Sequence, residues 1–211
     1  MTPRTSGEDD KQSLERTVFF SDAVIAIAIT LLVLDIRLPD VPLTDPTALR
    51  DALIALWPKY FAYALSFLVV GSFWMGHTQK FRLIRRYDAT LAWINLLFLM
   101  TIGFVPFASS VLSSHENVVG YVLYDGTMVA AALLSAATWA YASSGDRLID
   151  AGLDPAVRRR SLSGPLRVGA AFGAALILAV VAPHFARWAF LLLILAGLGQ
   201  RARGTAHSTA G

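Results

Sequence analysis

Apolar blocks alternate with short polar ones along the whole chain. Val18 to Ile36, Ala52 to Gly76, Ala89 to Ala108, Val118 to Ala142, Leu166 to Ala182 and Phe185 to Gly199 each predict a helix. Their lengths lie near the roughly 20 residues that cross a bilayer core. Between the first two blocks, Arg37 to Arg50 carries Pro39, Pro42 and Pro46, which exclude a continuous helix there. Pro58 falls where a first helical turn tolerates it, and span three ends near Pro106. Span four is rich in Ala, Ser and Gly, residues that let membrane helices approach closely. A polar loop is expected from Ser143 to Gly164. Spans five and six are joined only by Pro183-His184, so a tight hairpin is expected there.

Composition changes the picture from helices to membrane helices. The 211 residues are 55% hydrophobic and only 16% charged, whereas soluble domains carry about 25% charged residues. The reading is an all-α polytopic membrane protein: a cytoplasmic segment over 1–15, a six-helix transmembrane domain over 16–200, and a disordered tail over 201–211. No small-residue cleavage site follows the first block, so it reads as a retained helix rather than a signal peptide. With no cysteine there is no disulfide framework and no thiol chemistry.

The basic residues orient the spans. Of the 18 Lys and Arg, all but Arg37, Arg50, Lys59 and Arg187 fall on the side shared by both termini and the second and fourth connections. The positive-inside rule makes that side cytoplasmic, giving N- and C-termini inside and a multi-pass protein of the cell membrane.

Catalytic chemistry finds no foothold. The chain lacks a His-Glu-x-x-His zinc motif, a Gly-x-Ser-x-Gly elbow, a P-loop and a dinucleotide fingerprint. His115, His184 and His207 lack metal-ligand spacing. The expectation is a protein that is not an enzyme, with no catalytic residue, no metal site and no nucleic-acid partner. Polar residues within spans are more informative, because they are costly in lipid and face protein or water. Asp22, His77 and Asn95 fall at similar depth near the cytoplasmic ends of spans one, two and three, so they could bond with one another and with Arg16. The plainer reading is a polar cluster tying three helices together; the other is contact with a transported species. Asp125 is open in the same way, either an ion or proton site or a carboxylate near headgroups and neighbouring hydroxyls. On span one, Ile27, Leu31 and Leu34 recur at i, i+4 and i+7. That stripe faces lipid by default, and gates by dewetting only if the helix lines a pore.

The string Arg16, Phe20, Ser21, Asp22, followed by AIAITLLVL, resembles the signature of the TMEM175 family of potassium-permeable channels. Phe73-Trp74 with His77, and INLLFLMTIGFVPF over Ile94 to Phe107, are similar to the family's next two helices. The resemblance covers residues 16–108; spans four to six match in layout only. It implies a homo-oligomer, a tetramer, whose pore is lined by the first helix of each subunit. Ile27, Leu31 and Leu34 would form the constriction layers, Ile27 nearest the cytoplasm, with Thr30 as the pore hydroxyl. Arg16, Phe20, Ser21, Asp22, Trp74, His77 and Asn95 would anchor that helix. No cofactor is implied beyond permeant K+ and related monovalent cations, and the partners are the lipid bilayer and further copies of the chain. The TVGYG carbonyl filter of ordinary potassium channels is absent. The alternative is a secondary transporter or proton-coupled cation carrier, whose usual internal repeats and interrupted helices have no counterpart here.

Overall fold

The computed structural model describes residues 6–38, 45–114 and 117–182. The first helix, α1 (Ser6–Leu31), starts about three turns before the apolar block expected of it. Its polar leader contains no proline and is rich in Glu, Asp, Lys and Gln, so helix propagates backwards from the apolar span unopposed. Glu8 and Asp9 in the first turn suit the positive end of the helix dipole. At its other end the chain tightens into a 3-10 turn over Leu32–Asp35.

Pro46 opens a helix instead of preventing one. In α2 (Pro46–Ala55) it occupies the first turn, where its missing N–H costs nothing. The carboxylate of Asp45 accepts from the backbone N–H of Thr47 at 2.9 Å and of Ala48 at 3.2 Å. The second expected span is therefore two pieces, with a 45° bend between α2 and α3 (Trp57–Phe81). Pro58 cannot continue the hydrogen-bond ladder of α2, which explains the break at Leu56. At its far end α3 passes Gly76 and runs to Phe81, because Lys80 turns inward instead of closing the helix at a charged surface.

Two other proline expectations need correction. α4 (Ala89–Ser114) runs through Pro106 for two further turns. Its buried face continues unbroken through Val105, Ala108, Ser109 and Leu112, and neighbouring elements hold the turns that Pro106 weakens. α5 (Val118–Ser143) is capped by Asn117, whose carbonyl oxygen accepts from Gly120 N–H at 3.0 Å. The polar loop expected up to Gly164 ends at Asp154, which caps α6 (Pro155–Val181) by accepting from Ala156 N–H at 2.7 Å. Asp154-Pro155 is a helix-start signal that outweighs the polar character of the segment after it. Among the described residues, four helical segments are long and apolar enough to cross a membrane, five if the bent pair counts as one span. The sixth expected span, the Pro183-His184 turn, His115 and the tail lie outside the described residues.

α5 packs between α4 and α6, and α1 lies across α3 and α4. The main core joins Ile25 and Ala28 of α1, with Leu32 of the 3-10 turn, to Val70 and Phe73 of α3, Phe98 and Ile102 of α4, and Tyr124 and Met128 of α5. The α3–α4 and α5–α6 connections meet at one end, where Arg85 N–H donates to Leu148 O at 2.7 Å and the Arg86 guanidinium to Asp146 O at 2.8 Å. The turn after α5 places Gly145 and Asp146 at φ of 59° and 54°, a left-handed pair in which glycine relieves one position. The Asp146 carboxylate is held by Arg158. α5 and α6 approach closely at Gly169, where an added Cβ would stand 3.1 Å from the Cβ of Ala132.

Gly169→Val should therefore force the two helices apart and cost about 1–3 kcal/mol. Gly173→Ala, with nothing within 4 Å of its new Cβ, should change little. Thermal unfolding in detergent compares them, and equal melting temperatures would contradict this close contact.

Candidate functional site

α1 has two unlike faces. Ser21, Ile25, Ala28 and Leu32, spaced i, i+4, i+7 and i+11, are all buried against α3 and α4. On the other side Ile27, Leu31 and Leu34 are 58%, 43% and 62% exposed. Ile27 and Leu31 are about 6 Å apart along an α-helix. The 3-10 turn places Leu34 almost directly over Leu31, again about 6 Å further on, because residues three apart eclipse in that geometry. The result is a ladder of three branched side chains within about 40° of one another around the helix. Thr30 is exposed beside it and gives its hydroxyl proton to Ile27 O at 2.9 Å, which leaves the oxygen free to accept.

At the beginning of the apolar stretch a directional chain of donors crosses three helices. His77 Nε2 donates to Asn95 Oδ1 at 2.9 Å. The Asn95 amide donates to Ser21 Oγ at 3.0 Å, and Ser21 passes its own proton to Thr17 O at 2.7 Å. All three side chains are buried, and the imidazole stacks on Phe81 and Phe98 at centroid distances of 4.3 and 5.7 Å. Beside this chain, Trp74 Nε1 donates to Asp22 Oδ1 at 2.8 Å. Thus Ser21, Asn95 and His77 are brought together, and Asp22 with Trp74. Arg16 and Phe20 stand apart, exposed on α1 and outside these hydrogen bonds. They lie one turn apart on the helix face opposite Ser21 and Ile25, which is exposed among the described residues.

Three polar groupings escaped the sequence reading. Lys80 is buried and donates to Ser135 O at 2.8 Å and to the Ser135 hydroxyl, joining α3 to α5. Ser66 sits between the hydroxyls of Ser109 at 3.0 Å and Tyr124 at 3.1 Å. At the far end of α1, Asp35 accepts from Ser110 and Ser113, each at 2.6 Å, with Lys59 nearby. Ser66 and Ser135 are polar positions inside expected spans, and Asp35, Lys59 and Lys80 stand near span ends; only the fold pairs them with their partners. Asp125 is fully buried, and neither of its carboxylate oxygens has a hydrogen-bond partner among the described residues. No His, Cys, Asp and Glu cluster there could hold a metal ion.

Residues 16–106 match the family model described as the endosomal/lysosomal potassium channel TMEM175. A potassium channel of Streptomyces collinus is 41% identical over 170 residues, covering 74% of this chain and 82% of the relative. The crystal structure of a lysosomal potassium-selective channel TMEM175 homolog from Chamaesiphon minutus superposes with a TM-score of 0.74 at 29% identity, over 89% of this chain and 97% of that one. The zebrafish protein, Danio rerio, named endosomal/lysosomal proton channel TMEM175, is 30% identical over 132 residues. That match spans 62% of this chain and 25% of the zebrafish one.

Removing Asn95 should break the donor chain at its middle. Asn95→Ala leaves His77 Nε2 and Ser21 Oγ short of a buried partner, at a cost of about 1–3 kcal/mol. Trp74→Phe removes one bond at a half-exposed position and should cost under about 1 kcal/mol. Melting temperatures in one detergent rank the two, and the reverse order would overturn the central place of Asn95.

Proposed function

The chain belongs to the TMEM175 family of potassium channels, and from that premise we propose that four copies surround an ion path lined by α1. One subunit offers a single helix of this kind, and one helix cannot enclose a path. The observation that carries the reading is the contrast across α1. One face is packed and polar-bonded to α3 and α4, while Ile27, Leu31 and Leu34 stay largely exposed among the described residues. A helix that merely met lipid would need no such fastening from behind. Rings of these residues would narrow the path in three layers and resist wetting, so that conduction depends on how far the rings part. Thr30, between the inner and middle layers, would offer an oxygen to a partly dehydrated cation. The selective element would then be this apolar constriction with its hydroxyl, in place of a filter of backbone carbonyls. Ser21, Asp22, Trp74, His77 and Asn95 would hold the helix in register, and Arg16 and Phe20 would face a neighbouring subunit.

The proposed topology has six spans with both termini cytoplasmic in the cell membrane. The tie between the α3–α4 and α5–α6 connections supports it, since these basic segments share one end of the molecule, as the positive-inside rule requires. A second reading, that protons also pass, follows from the name of the zebrafish relative. Acidification of liposomes holding a pH dye, with no K+ present, tests it.

Sizing with light scattering should give four copies of the 22.8 kDa chain. In liposomes, Ile27→Asn should raise K+ flux about tenfold, equivalent to about 1.4 kcal/mol on the barrier. Ile177→Ala, at an equally exposed position on α6, should leave flux unchanged. A monomer, or equal effects of the two substitutions, would defeat the pore reading.

A further inference from the structure

Asp35 closes α1 at the end opposite the His77–Asn95–Ser21 chain. Its side chain is 21% exposed, and each of its two oxygens takes one hydroxyl, Oδ1 from Ser110 and Oδ2 from Ser113, both at 2.6 Å. That length is typical of O–H donors on an ionised carboxylate, which bond about twice as strongly as neutral pairs. Ser110 and Ser113 are three apart on α4, hence neighbours one turn apart, and their spacing fits the two oxygens of one carboxylate. Lys59, in the first turn of α3, donates to Asp35 O at 3.1 Å and lies 3.8 Å from Oδ1. Its ammonium thus shares with the Arg37 N–H a carbonyl at the C-terminal end of the 3-10 turn, where a cation is favoured. Three elements converge on one residue, and that residue follows Leu34 directly. Both serines lie beyond Pro106, on the two turns by which α4 exceeds its expected length.

We propose that Asp35, held by Ser110, Ser113 and Lys59, is an outer clamp that fixes the position of the Leu34 layer. This rests on the pore reading above. The inner chain fastens α1 at Ser21, fourteen positions before Asp35, so the ladder is stretched between two polar attachments. Ile27 and Leu34 stand near opposite attachments, and loosening the outer one displaces Leu34 while Ile27 keeps its place. Asp35 acts through Leu34 and is a positioning residue, with no contact to the ion.

The test uses the absence of native cysteine, which makes any introduced thiol the only one. Leu34→Cys and Ile27→Cys are each made in the full chain, and inter-subunit disulfide formation is followed in membranes under mild oxidation. Adding Ser110→Ala with Ser113→Ala removes both hydroxyl bonds and should raise the cross-linking rate at position 34 at least about tenfold, the factor that corresponds to loss of even one charge-assisted hydrogen bond. The rate at position 27 should stay unchanged. Replacing both serines by Thr keeps the hydroxyls and should restore the original rate, which a merely destabilised protein would not show. If the double alanine protein does not assemble, the single variants Ser110→Ala and Ser113→Ala are read in the same way. An unchanged rate at position 34, or any change shared equally by both positions, overturns the outer clamp. Failure of both thiols to cross-link with the serines intact overturns the pore reading instead.

Discussion

The Asn95 amide is the joint on which the arrangement depends. It accepts from His77 on α3 and donates to Ser21 on α1, so one side chain on α4 holds three helices at a common depth. Its value lies in direction as much as strength. Helices packed only by Ile, Ala and Leu can slide or rotate at small cost, whereas a buried donor or acceptor left unmatched costs about 1–3 kcal/mol. The rotation of α1 about its own axis is set in this way. That rotation decides which residues are packed behind it and which are left open.

A second consequence concerns the far end of α1. The change from α to 3-10 geometry at Leu32 keeps Leu34 in line with Leu31, where continued α-helix would begin to drift around the axis. The same four residues bring Asp35 onto Ser110 and Ser113. Stacking of Leu34 over Leu31 and attachment of the ladder's end therefore share the same four residues, and the attachment depends on α4 continuing past Pro106. A proline that would end a helix in water is carried here, because the turns beyond it are fastened by Ser109, Ser110 and Ser113 to other elements.

Much of the inner attachment was legible in the residues. Asp22, His77 and Asn95 are polar, lie in apolar surroundings and fall at matched depth once span directions are assigned, so their meeting follows from the cost of polar groups in lipid. Their pairing did not follow. Depth alone would allow Asp22 to face His77, while in the structure Asp22 takes Trp74 and His77 takes Asn95. Matched depth and the family resemblance both put Arg16 with the same cluster, while in the structure the helix turns it outward. Lys80 opens the basic stretch Lys80–Arg86, yet it is buried on Ser135. A lysine carries no sign in its own sequence of whether its ammonium reaches solvent or a neighbouring helix.

By itself, the sequence determined a helical membrane protein, the approximate position of its described spans, and the family to which it belongs. These rest on properties local to each segment: apolar length, the exclusion of unpaired backbone from lipid, and a short string of residues around Ser21-Asp22. Only the tertiary structure decided where the helices break or continue, which partner each polar side chain takes, and that Ile27, Leu31 and Leu34 form the open face of α1. Ile25 and Ile27 are alike in composition and two positions apart, but one is 1% exposed and the other 58%. Two residues along an α-helix are about 200° apart around its axis. Which of the two meets the core therefore depends on a rotation that no residue on α1 sets alone, and that the contacts from α3 and α4 impose.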